Sequence, residues 1–141
     1  MRFPTLLGCA LAFPAGSAFA DASVSVTPIL STQQTASGQP IVLPQGDVQV
    51  VVSRFVIQPG TVLPRHEHPF QRYGYVLSGK LDVRIPELER VVHYGPGDFI
   101  VETRGSWHEG QAVGTEPTVL IVVDQVEPGR NNTILEGSGD H

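Results

Sequence analysis

The chain has 141 residues and a formal net charge of −5, with 9 lysines and arginines set against 14 acidic residues. That size and acidity suit one modest domain, and scattered basic residues supply no patch for nucleic acid. The single cysteine, Cys9, excludes an internal disulfide and any cluster of thiolate metal ligands.

Residues 1–20 read as a secretory signal. Arg2 supplies the charged start, Leu6 to Phe13 the apolar stretch, and Ala18 and Ala20 flank a small-residue cleavage site before Asp21. The apolar stretch is too short for a permanent span, so a periplasmic or secreted protein with no stable membrane segment is expected. Residues 21–46, rich in Ser, Thr, Gln and Pro, read as an arm. Brief edge strands are expected at Val24–Val26 and Ile41–Leu43, lying against the main body.

From Asp47 the pattern is strongly β. Apolar residues alternate along 48–57, and the run stops at Pro59-Gly60, a turn pair. A His66-Glu67-His68 triplet follows, then an apolar strand from Tyr73 to Ser78. Gly79 turns the chain into an alternating strand at 80–85, with a short one at 91–94. A Gly95–Asp98 turn precedes the last strands at 99–102, 107–112 and 118–126. Many short β runs between Gly/Pro turns, without an amphipathic helix, indicate an all-β sandwich or barrel. Residues 127–141 carry glycine, proline and asparagine and are expected to be loosely held.

In a strand, residues two apart share a face, so His66 and His68 can converge while Arg65 and Glu67 face away. Gly60, His66, His68 and Gly79 keep the spacing of the first cupin motif: glycine, five residues, His-x-His, a glutamate, and a closing glycine. Gly97, Gly105 and His108 keep that of the second. Over residues 47–126 the chain therefore resembles the cupin family. Three motif positions differ: Arg72 stands at the glutamate, Thr103 at the proline and Ala112 at the asparagine.

The resemblance implies a double-stranded β-helix (cupin, jelly-roll) barrel in which His66, His68 and His108 meet. Three neutral imidazoles with open positions would hold a divalent transition metal, Fe, Mn, Ni, Cu or Zn, and lose it below about pH 6. The alternative is a metal-free barrel whose histidines bond one another, water or an organic ligand. Arg72, facing inward like the family glutamate, would repel a dication by roughly 6–7 kcal/mol at ~5 Å and an effective dielectric of ~20. It is therefore expected to turn to solvent, to pair with Glu102 or Glu109, or to grip an anionic substrate.

Arg72, Glu102 and Trp107 are the candidate substrate-binding residues, and no catalytic residue is assigned. Gln71 should face the other side of its strand, Glu109 should form a surface ion pair, and His93 should lie at the surface or rim. Tyr73 and Tyr75 read as packing. Two functions stay open: a metal-dependent enzyme of dioxygenase or isomerase type acting on a small organic anion, and a non-catalytic periplasmic binding or sensing module. By resemblance, edge strands also make a homodimer plausible.

Overall fold

The computed structural model describes residues 23–139; the signal expected at 1–20 lies outside them. Nine strands form: β1 Gln49–Ile57, β2 His66–Glu67, β3 Gln71–Ser78, β4 Lys80–Ile85, β5 Arg90–Tyr94, β6 Phe99–Val101, β7 Glu109–Val113, β8 Thr118–Val126 and β9 Ile134–Leu135. A single 3₁₀ turn, Pro86–Leu88, interrupts them, with proline at its start, where a missing N–H costs nothing. Among the described residues no helix is long and apolar enough to cross a membrane.

The strands pair antiparallel throughout. One sheet runs β1-β8-β3-β6, a second β5-β4-β7, and β2 and β9 form a small third. β1 and β8 match along their full length, from Gln49 opposite Val126 to Ile57 opposite Thr118. Alternation sorts the side chains: Thr118, Leu120, Val122, Asp124 and Val126 are buried, and the residues between them are half-exposed. The two larger sheets share one core, in which Val76, Ile85 and Ala112 are fully buried among Leu81, Ile100 and Val122. Burial of each larger aliphatic side chain contributes about 1.5–3 kcal/mol.

The β3–β4 junction turns on Gly79, which has φ +74°. A Cβ there would meet Pro117 O at 2.5 Å and Thr118 Cα at 2.6 Å, both backbone atoms that cannot swing aside. Gly79→Ala is expected to cost about 3 kcal/mol or more, combining left-handed strain with overpacking. A urea midpoint equal to the parent's would contradict this close approach.

The arm differs from its expectation. It makes no regular strand, only an isolated bridge between Gln34 and Pro40, and Val24, Val26, Val42 and Leu43 are exposed. It is anchored by polar groups instead. Ala36 N–H donates to Val101 O, and the Thr103 hydroxyl, at the place of the motif proline, bonds Ser37 Oγ at 2.7 Å and Gln39 Oε1 at 3.2 Å. The segment after β8 also departs from expectation. Asn132 is buried and β9 pairs with β2, so this polar stretch is a strap rather than a loose tail.

Candidate metal centre

His66 and His68 flank Glu67 at the short strand β2, and His108 immediately precedes β7. The two motifs are locked by a reciprocal backbone pair: His66 N–H donates to His108 O and His108 N–H to His66 O, each at 2.9 Å. The three rings consequently cluster, with centroids 4.5, 4.8 and 4.9 Å apart, and one nitrogen from each lies within 4.8 Å of the others.

Every Nδ1 faces a backbone carbonyl. His66 donates to Pro64 O at 2.6 Å, His68 to Asn132 O at 2.6 Å and His108 to Ser106 O at 2.9 Å. A carbonyl can only accept, so each Nδ1 carries the proton and each Nε2 keeps a bare lone pair. His68 Nε2 and His108 Nε2 are buried without any protein partner. Such orphaned acceptors are costly in a core and are what a metal-binding imidazole presents, its far nitrogen fixed by a carbonyl. The donor set thus fits a divalent first-row ion.

Burial holds these rings neutral. It drives the His68 pKa down to about 2, reinforced by the Arg72 charge, and it lowers those of His66 and His108 against the opposing pull of their carbonyl partners. The expected loss of metal below about pH 6 therefore moves to lower pH. Folding stability follows the same linkage. Between pH 6.5 and its depressed folded value, His68 binds a proton only when unfolded, so stability falls as the pH drops below 6.5. From pH 6.5 to 5 this one residue removes about 2 kcal/mol, and His66 and His108 act in the same direction. Glu102, raised chiefly by burial, acts oppositely, contributing stability below pH 4.5 that is lost as the pH climbs through its folded value. Urea midpoints of chelator-treated protein should be lower at pH 5 than at pH 7; equal midpoints would contradict the neutral buried imidazoles.

Arg72 faces inward, as its motif position implies, but neither solvent nor Glu102 nor Glu109 receives it. Its partner is Asp124, directly opposite on β8, bonded through Nε at 2.7 Å and through a terminal nitrogen at 3.0 Å. Thr133 Oγ1 accepts a further bond at 3.2 Å. Asp124 also receives Asn132 Nδ2, and Asn132 Oδ1 accepts Phe70 N–H, so the strap, the ion pair and His68 form one buried network. The sequence carried a signal for Asp124: it is the one charge on the inward-facing side of β8, and a buried charge needs a counter-charge. Asn132 carried none, since it lies in a stretch of loop composition.

Glu102 lies beside the histidines, with Oε2 3.6 Å from His108 Nε2 and its side chain 15% exposed. Trp107 is half-buried and does not line the cavity at the rings. Gln71 is buried, its amide donating to Arg72 O and Glu102 O, and nothing explains its unpartnered Oε1. Glu109 pairs with Arg84, and His93 bonds Asp82 at the surface. The cavity at the rings holds only about 30 Å³, walled by Phe55, Leu63, Leu81, Val83 and Leu120. That is room for one or two water-sized ligands.

No curated protein matches the sequence. Among solved structures, the polyketide cyclase RemF from Streptomyces resistomycificus is 26% identical with a TM-score of 0.51, over 68% of this chain and 70% of that one. The DMSP lyase DddQ from Ruegeria pomeroyi shares the fold at 18% identity and TM-score 0.55, over 65% of this chain and 45% of that one. An uncharacterised Klebsiella pneumoniae protein with a double-stranded β-helix domain does so at 24% and 0.50, over 79% of this chain and 96% of that one. The cupin domain model matches residues 53–124, half of the chain, spanning both motifs and all three histidines. The chain belongs to the cupin family.

Proposed function

We propose that this is an exported cupin barrel whose His66, His68 and His108 hold a divalent transition metal, and that it is a metal-dependent enzyme acting on a very small ligand. The observation that carries the reading is the set of three bare Nε2 atoms, two of them buried without a partner. When bound, the ion would supply Lewis acidity or a redox centre. Glu102, whose pKa burial raises above the ordinary carboxylate range, lies at the edge of the rings and is the candidate acid or base. The apolar wall excludes bulk water. Likeness to a cyclase at 26% identity supports an enzyme without naming a reaction, because a polyketide far exceeds the 30 Å³ present.

The Arg72 fork, which could have gripped a carboxylate, is occupied by Asp124, so an organic anion is not part of this reading. The tight cavity also favours a second reading, a metal-binding or sensing module without turnover. Metal analysis of the protein beginning at Asp21, after exposure to Fe, Mn, Ni, Cu and Zn in turn, tests the foundation of both. One ion per chain is expected; a protein that stays metal-free removes it. If metal binds, Glu102→Gln separates the two, since it should abolish turnover in an enzyme and leave metal stoichiometry at one.

A further inference from the structure

The three imidazoles lie too deep for an ion to reach them while every segment stays in place. His68 and His108 are buried, and the cavity at the rings admits only one or two water-sized ligands. A hydrated ion with its shell of waters is several times that size. Part of the wall must therefore move. The sheets cannot do so cheaply: β8 pairs with β1 along its full length on one side and with β3 on the other, and it carries part of the apolar core. The strap is different. Of residues 127–136 only Asn132 is buried, and it is polar, while Leu135 is 45% exposed. Hydrogen bonds hold this segment in place of apolar burial. Two residues pair β9 with β2, Glu136 N–H donates to Arg65 O, and the Arg65 and Glu136 side chains form an exposed ion pair at 3.2 Å. Asn132 and Thr133 add their bonds to Phe70, Asp124 and Arg72. Water replaces each of these when the segment lifts, which puts the strap at the low-stability end of the fold. Lifting strands no charge, because Arg72 and Asp124 stay bonded to each other across β3 and β8.

We infer that the strap is the gate of the metal centre. It swings on its junction with β8 at one end and releases β2 at the other. Once Asn132 O withdraws, His68 Nδ1 loses its acceptor and the ring is free to turn outward, presenting Nε2 to solvent. Closure restores the carbonyl and re-aims the ring. The proposal rests on the three-histidine reading above and goes beyond it by assigning entry and release to one segment.

Hydrogen exchange on the metal-free chain beginning at Asp21 reads the gate directly. Phe70 N–H and Glu136 N–H both lose their acceptors when the strap lifts, one on the barrel and one on the strap. They should exchange together, at least about tenfold faster than the amides of β8. Cobalt uptake, followed by absorption, should level off with rising cobalt at the opening rate. Arg65 and Glu136 stand opposite each other, one step beyond the His66–Leu135 pair, so cysteines at both positions can form a disulfide. The chain beginning at Asp21 has no other cysteine. Arg65→Cys with Glu136→Cys, oxidised, should slow cobalt uptake and chelator-driven release alike by at least about tenfold and leave Kd unchanged. Glu136→Ala should speed both by up to about fivefold. A merely structural role would shift Kd instead. Parental rates in the oxidised tether, or Phe70 and Glu136 amides as protected as those of β8, overturn the gate while leaving the metal centre intact. A chain that binds no cobalt, even with these amides exchanging together, overturns the three-histidine reading and the gate with it.

Discussion

Alanine in place of His68 is expected to abolish stoichiometric metal binding. Sharing the about 10–16 kcal/mol of a structural metal site among its ligands leaves about 4 kcal/mol per imidazole, roughly a thousandfold in affinity. The other two rings cannot re-form the set, because Pro64 O and Ser106 O fix their orientations. His66→Ala and His108→Ala should behave alike, whereas His93→Ala, at a surface histidine bonded to Asp82, should change nothing. Calorimetric titration with zinc, paired with cobalt absorption spectra, measures both groups. A His68→Ala protein that still binds one ion at parental affinity would move the centre away from these rings.

Asp124→Ala should be the most destabilising single change at the site, costing about 3–5 kcal/mol, because it strands the buried Arg72 guanidinium. It also removes the acceptor of Asn132, loosening the strap that orients His68. The freed cation then faces the histidines, so metal affinity should fall as well. Replacing both partners with apolar residues, Arg72→Met with Asp124→Leu, should recover most of the stability, since the pair costs much of what it gains. Chemical denaturation of the two single variants and the double variant gives the coupling. A double variant no more stable than Asp124→Ala would show that the ion pair is not the source of the loss.

The same pair alters what Arg72→Glu should do. By sequence alone, exchanging a cation for a carboxylate beside three histidines should tighten metal binding. In the fold that carboxylate meets Asp124 across the strand pair, and two buried like charges destabilise the protein or bind a proton. Whether Arg72 faced inward was legible, since strand alternation and motif position agree on it. What it faced was not, because Asp124 becomes its neighbour only through the β3–β8 register.

His66, His68 and His108 were legible for a related reason. Their spacing is fixed by turns and by strand period, both local properties of the chain. The tautomers were hidden, because the carbonyls that set them belong to two local turns and one distant strap. The strap itself was misread from composition. Asn131, Asn132 and Thr133 resemble a solvated tail until the buried acid that needs them is identified. The arm failed in the other direction: the apolar 41–43 run suggested packing, yet hydroxyl and amide bonds around Thr103 secure the segment while Val42 and Leu43 stay exposed.

The bond from His68 to Asn132 also sets an order of events during biosynthesis. The strap follows both histidine motifs in the chain, so His68 gains the carbonyl that aims it only once residue 132 has been made and has docked. The centre is therefore completed by one of the last segments to be made. An ion held by these rings would then be captured by the finished protein, from whatever metals surround it once folding ends.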